Sequence, residues 1–192
     1  MLTDLSNGML SEAESNLADI SKAFQFQIAD AQSIQFDNES FDAVIALHMP
    51  YHIPKLDKAL GEICRVLRYE GKLYASALGR DNMRELQDLV NRFIPEIDYG
   101  QSELLDSFGL ENGRDKLERF FADVELRKYE DSLAIPEVQP VVDYVLSLDN
   151  RKSIQDSGGL ANLIQALEDE IGREGFIHIR KDVGLFISRK SG

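Results

Sequence analysis

Apolar residues recur along this chain with two periods, one helical and one of alternation. Between residues 8 and 20, Met9, Leu10, Ala13, Leu17 and Ile20 fall at helical spacing and predict an amphipathic helix. Phe24, Phe26 and Ile28 then alternate with polar residues, as a strand with one covered face does. The run FDAVIALH at 41–48 is nearly continuous in apolar residues and predicts a strand buried on both faces. Over 55–67, Leu56, Leu60, Ile63 and Leu67 form one helical stripe, and Glu70-Gly71 is the expected helix end. KLYASAL at 72–78 follows as a further strand. This alternation of helices and buried strands predicts an α/β fold with a mostly parallel sheet.

The second half is patterned differently. Helical spacing occurs at about 81–93, 113–121, 137–147 and 160–171, with Gly158-Gly159 as a turn before the last of these. Two β-rich stretches stand among them, VELRKYEDSLAI at 124–135 and GFIHIRKDVGLFISR at 175–189, and predict an antiparallel edge on the sheet. No internal repeat, low-complexity segment or long linker interrupts residues 1–192, so one domain is expected.

Charge narrows the choice of partners. Acidic residues outnumber basic ones 34 to 21, giving a net charge of −13, and no long basic strip offsets it. Phosphate backbones are bound mainly by clustered Lys and Arg, so no nucleic acid is expected as partner. A small neutral or cationic molecule, or a protein, fits this charge better. No apolar run approaches the length of a membrane span, and no membrane partner is expected. Cys64 is the only cysteine, which excludes intrachain disulfides and points to a reducing cytoplasm; its amphipathic setting GEICRVL reads as buried packing.

Three segments together carry a family resemblance. LTDLSNGML places Asp4 at the tip of a short strand with Ser6 ready to cap the next helix. IADAQSIQFDNESFDAVIALHMPYHI follows about two dozen residues later, and then KALGEICRVLRYEGKLYAS, in which Tyr69-Glu70 replaces a usual Pro-Gly turn. These segments resemble the class I S-adenosylmethionine-dependent methyltransferases, of the bacterial small-molecule type. The resemblance implies a Rossmann-like sheet, mostly parallel with an antiparallel C-terminal edge, and S-adenosyl-L-methionine as cofactor. It implies that Asp4 accepts hydrogen bonds from ribose hydroxyls, with Leu5, Ser6 and Met9 beside it and Met9 near the adenine. Asp30 would receive the adenine amino group and the Ala31 amide would address the ring, while His48 would lie against the cofactor. Asp42 is read as structural, holding the preceding loop. Residues 1–80 would form the cofactor side, residues 81–172 the helical acceptor side, and 124–135 and 175–189 the last strands.

One part of the family pattern is absent. Such enzymes open with a strand and a loop of the type E/D-x-G-x-G-x-G, where glycine lets the backbone approach the ligand closely. Only three residues precede Asp4, so the first strand is expected to be missing, and in the family's strand order that strand is central. The chain is then a fragment of a longer enzyme, or its second and fourth family strands pair directly. A third solution is a preceding segment or a homodimer that completes the sheet.

The chemistry at the centre follows from HMPYH. An open α/β sheet binds ligands at the carboxyl ends of its strands, which is where His48, Met49, Tyr51 and His52 are expected. Methyl transfer asks for alignment and, for some acceptors, a base; His52 and Tyr51 are the candidate catalytic residues, with His48 as a second imidazole. Pro50 lies between the histidines and would break a helical metal pair, and no third ligand stands out, so no metal is expected. His178 reads as a strand residue. No G-x-S-x-G or G-x-G-x-x-G run supports a hydrolase or a dinucleotide dehydrogenase. An aromatic cage from Phe93, Tyr99, Phe108, Phe120 and Phe121 is conceivable, although their spacing favours core packing. The competing expectation is a methyltransferase-like module without catalysis, serving as a binding or scaffold unit.

Overall fold

The computed structural model describes residues 1–20, 22–95, 101–148 and 158–191. Three short elements open the chain: β1 (Leu2–Asp4), α1 (Asn7–Leu17) and β2 (Phe26–Ile28). Ser6 caps α1, accepting a hydrogen bond from the Met9 N–H at 3.3 Å. The two strands pair in parallel, with Leu2 opposite Phe26 and Asp4 opposite Ile28. Leu10 is the only buried side chain in this unit among the described residues.

The body of the molecule is a four-stranded sheet of order β3-β4-β6-β5. β3 (Phe41–Ala46) and β4 (Leu67–Leu78) run parallel, joined by a one-turn 3₁₀ helix at Pro50–His52 and by α2 (Leu56–Val66). β6 (Ile177–Arg189) lies antiparallel between β4 and β5 (Ala122–Ile135), which is the antiparallel edge that the alternating pattern predicts. Between these strands stand α3 (Arg84–Phe93), α4 (Gln101–Ser107), α5 (Gly113–Leu117), α6 (Gln139–Ser147) and α7 (Gly159–Glu174).

Two apolar cores flank β6. In the first, Leu56, Leu60 and Ile63 of α2 meet Leu73, Ala75 and Ala77 of β4, with Phe108, Leu117 and Phe186. The α2 residues recur at i, i+4 and i+7, so one stripe of the helix is covered and the other faces water. In the second core, α3, α6 and α7 contribute Val90, Val145, Leu163 and Leu167, against Ile177 and Ile179 at the start of β6. Gly159 lets α7 approach α3: a Cβ there would stand 2.3 Å from the Phe93 carbonyl oxygen.

Three expectations need correction, and one helix was missed. The helix over 55–67 ends at Val66, not at Glu70-Gly71, and β4 begins at once with Leu67. Leu67 is extended because it is buried and pairs with Phe41; Glu70 does adopt a left-handed φ of 62°, but inside the strand, where Arg189 pairs with it. The helix α4 was not legible, since QSELLDS carries only two apolar residues and no period can be counted over them. β3 is not buried on both faces: Val44 packs on the core and Ala46 is buried, but Ala43 is exposed and Ile45 is 68% exposed. Among the described residues β3 pairs with β4 alone and β1 with β2 alone, so the second and fourth family strands do not pair directly.

Candidate functional site

The residues singled out from the sequence stand at the carboxyl ends of β1, β2 and β3 and in the turns that follow them. Asp4 ends β1, and its Oδ1 accepts the Ser6 N–H at 2.7 Å in a tight turn into α1. The Asp4 carbonyl oxygen accepts the Ala29 N–H at 3.1 Å, which holds the turn after β2 against the tip of β1. Asp30 therefore follows as a second carboxylate one strand away. Leu5 (68% exposed) and Met9 (56% exposed) leave apolar side chains uncovered at the same end.

Asp30 is fixed by its own neighbour. Its Oδ1 accepts the Gln32 N–H at 2.8 Å and the Gln32 side-chain amide at 3.1 Å. These two hydrogen bonds hold its carboxyl below the usual carboxylate range, against a small opposing effect of burial. Ala31 is half-buried between Asp30 and Gln32. The turn is bound in turn to α2: Glu62 Oε2 accepts the Ile34 N–H at 2.9 Å, and Arg65 donates to the carbonyls of Ile34 and Phe36, both at 2.8 Å. Glu62 and Arg65 also pair with each other at 2.9 Å, and that pairing lowers the Glu62 carboxyl most. Neither residue was singled out from the sequence; the signal was their i, i+3 placement opposite the apolar stripe of α2.

After β3 the backbone turns sharply. His48 takes a left-handed φ of 51°, and its N–H donates to the buried Ser76 Oγ at 2.8 Å. Ser76, in β4, was likewise missed, because a lone serine in an apolar strand carries no pattern of its own. Pro50 starts the 3₁₀ turn, so His48 and His52 do not share a helix face. The ring of Tyr51 lies 6.5 Å from that of His48 and packs edge-on at 4.6 Å against that of His52. His52 is exposed, while Tyr51 is half-buried, which pushes its phenol above its ordinary value and keeps it protonated at neutral pH.

The remaining candidates stand elsewhere. Asp42 bonds Arg68 at 2.7 Å, and Arg68 also reaches the Glu39 carbonyl, so Asp42 does hold the preceding loop. Phe108 and Phe121 are buried in the first core with Phe120 against it, and Phe93 packs on the second; these rings form no cage, and Tyr99 lies outside the described residues. His178 is exposed on β6 opposite Ala134. Cys64 is half-buried with its Sγ 3.4 Å from the Phe120 carbonyl, and burial pushes its thiol up. Among the described residues no helix is long and apolar enough to cross a membrane.

Comparison with known proteins bears on this geometry. Residues 1–75 match the family described as methyltransferase domain. A ubiquinone/menaquinone biosynthesis C-methyltransferase of Chromobacterium violaceum is 36% identical over 73 residues, covering 38% of this chain and 30% of that protein. The chain thus spans about three-tenths of the length of the curated relatives it matches. Among solved structures, a candidate methyltransferase of Bacillus halodurans C-125 superposes with a TM-score of 0.63 at 18% identity, over 99% of this chain and 82% of that one. A phosphoethanolamine N-methyltransferase of Haemonchus contortus, solved with S-adenosyl-L-methionine, gives 0.54 at 18% identity, over 99% and 43% of the two chains. These structural likenesses establish the fold.

Proposed function

We propose, from the match of residues 1–75 to the methyltransferase-domain family, that the chain is an S-adenosylmethionine-dependent methyltransferase acting on a small molecule, or part of one. The observation that carries this reading is the pair of carboxylates, Asp4 and Asp30, at the hydrogen-bonded tips of two adjacent parallel strands. Both fit a nucleoside. Asp4 spends one oxygen on the Ser6 N–H and keeps the other for ribose hydroxyls, since a carboxylate offers about four acceptor positions. At Asp30 the Oδ2 receives only a long 3.4 Å contact from Gln32, so it can accept an adenine amino group beside the Ala31 amide. Leu5, Ser6 and Met9 would supply the surface on which the base lies, and His48, at the turn after β3, would lie against the cofactor.

The cofactor, when bound, supplies an electrophilic methyl group. The chain's own residues orient and deprotonate the acceptor. His52 is exposed at the turn after β3 and would serve as the base for a hydroxyl or ammonium acceptor. Tyr51, kept as a neutral phenol by burial, directs the acceptor by hydrogen bonding instead. The edges of β1 and β3 that are unpaired among the described residues would take a further strand, from a second copy or from a segment preceding Met1, to complete the sheet. We read residues 1–192 as one such domain, with residues 81–172 shaping the acceptor side, in a reducing cytoplasm.

Calorimetric titration with S-adenosylhomocysteine tests the reading. Micromolar binding is expected, weakened roughly tenfold or more by Asp30→Ala, the scale of a lost hydrogen bond to a charged group. Absence of both heat and thermal stabilisation in the wild-type chain would instead favour the non-catalytic module.

A further inference from the structure

Most cations on this surface have a carboxylate beside them, as Arg68 has Asp42 and Arg84 has Asp81. A groove next to the HMPYH turn departs from that rule. Ile53, Pro54 and Leu56 form its apolar part, in a space of about 510 Å³, and Lys55, Lys58, Lys116 and Arg119 converge on it. Arg119 grips Asp57 through two bonds of 2.9 and 2.7 Å, so those charges cancel. Lys55 and Lys58 are exposed, and among the described residues neither side chain makes a hydrogen bond or ion pair; Lys58 acts on Asp30 and Glu62 only through space. Lys116 is half-buried, and its Nζ donates to the carbonyl oxygens of Asp106 at 2.9 Å and Ser107 at 2.5 Å. An ammonium has three protons, so one remains, with no carboxylate to neutralise the charge.

Three cations in one groove without a carboxylate at ion-pair distance among the described residues are unusual in a chain of net charge −13, even with Asp30 and Glu62 within longer reach of Lys58. Their mutual repulsion weakens the fold locally, and Lys55 and Lys58 also sit in the first turn of α2, where the helix dipole disfavours positive charge. An oxyanion in the groove reverses both effects. We infer that the groove binds the anionic group of a small molecule, a phosphate monoester or a carboxylate, through Lys55, Lys58 and Lys116. The space suits a small ligand, whereas a polyanion would meet the acidic remainder of the surface. Local charge here departs from the neutral or cationic ligand that the whole-chain charge favours. Ile53, in the groove's lining, directly follows the candidate base His52 in the chain, which sets the groove beside the HMPYH turn. On the methyltransferase reading, on which this step rests, the acceptor carries an acidic group.

The test is titration of the chain with inorganic phosphate and with benzoate at fixed ionic strength, followed by calorimetry and amide NMR shifts. The same titrations are run on Lys55→Ala/Lys58→Ala and on a control, Lys22→Ala/Lys72→Ala, which removes the same charge outside the groove. Saturable phosphate binding is expected, weakened about tenfold by the groove pair and unchanged by the control, with shifts centred on residues 53–58 and 116. Phosphate binding without benzoate binding identifies a phosphate monoester, and comparable binding of both identifies a general oxyanion site. No saturable binding of either, or equal loss in both double variants, overturns the inference. S-adenosylhomocysteine titrated into the same preparations separates the two readings. Phosphate binding without it removes only the methyl-transfer role, and its binding without phosphate removes only the anion site.

Discussion

The β1–α1–β2 unit and the four-stranded body are built to different standards of burial. The body encloses two cores around β6, with Phe186, Leu73, Leu167 and Ile179 fully buried. The first unit buries Leu10 alone, and the turn that follows it reaches the body through polar bonds from Gln32, Glu62 and Arg65. Yet this thinly packed unit holds Asp4, and the turn beyond it holds Asp30. Apolar burial is the main source of stability, so the unit proposed to meet a nucleoside is the one with fewest buried side chains of its own among the described residues. A ligand that spans Asp4 and Asp30 would add contacts where packing is weakest, and binding and local order should rise together.

The largest expected effect tests the contrast directly. Phe186→Ala removes a buried ring that packs at 5.6 Å on Phe108, and should cost about 3–5 kcal/mol in urea denaturation followed by circular dichroism. Leu10→Ala should leave that transition in place and show instead as faster amide exchange over residues 2–28. A midpoint that falls as far as for Phe186→Ala would join the two regions into one cooperative unit and break the comparison. Next in size, Gly159→Ala drives a Cβ toward the Phe93 carbonyl and should cost about 1–3 kcal/mol, all of it in the body.

The bridge between the regions has its own signature in acid. Asp30 and Glu62 both titrate below their ordinary values in the folded chain, held there by hydrogen bonds. Their contribution is therefore complete above the unfolded-state values and disappears as pH falls through the folded ones. Melting temperature should drop over that acid range, and Glu62→Gln should flatten the drop; an unchanged profile would show that Glu62 does not secure the turn. The smallest effect belongs to the exposed Arg119–Asp57 pair. Arg119→Ala should shift stability by at most about 1 kcal/mol, as surface ion pairs do.

The sequence was most readable where one face of an element is covered by its own neighbours in the chain. α2 and the β5–β6 pairing follow from apolar spacing, because each is packed within the body in the way its pattern implies. β3 misled for the same reason: its run of apolar residues reports a strand covered on both faces, and the described residues cover only one. Around the candidate site the split is similar. Asp4 and Asp30 are reached through the family resemblance, and Ser6 through its place before a helix. Gln32, Glu62, Arg65 and Ser76 act through partners 2 to 31 residues away, a relation that no local period records. The Lys55–Lys58–Lys116 groove was hidden likewise, since Lys116 joins the other two only through tertiary folding.

The strand order β3-β4-β6-β5 also sets a timetable for folding. Among the described residues β5 is bonded to the sheet only through β6, and β6 follows the other strands in sequence. While the chain emerges from the ribosome, β5 has no sheet partner until residues 177–189 are out. Both cores stay open until the same moment, because Ile177, Ile179 and Phe186 close them. Assembly of the body therefore waits for residues 177–189, with long-range closure as its slow step, and the exposed edge of β4 is the surface a chaperone would have to shield in the interval.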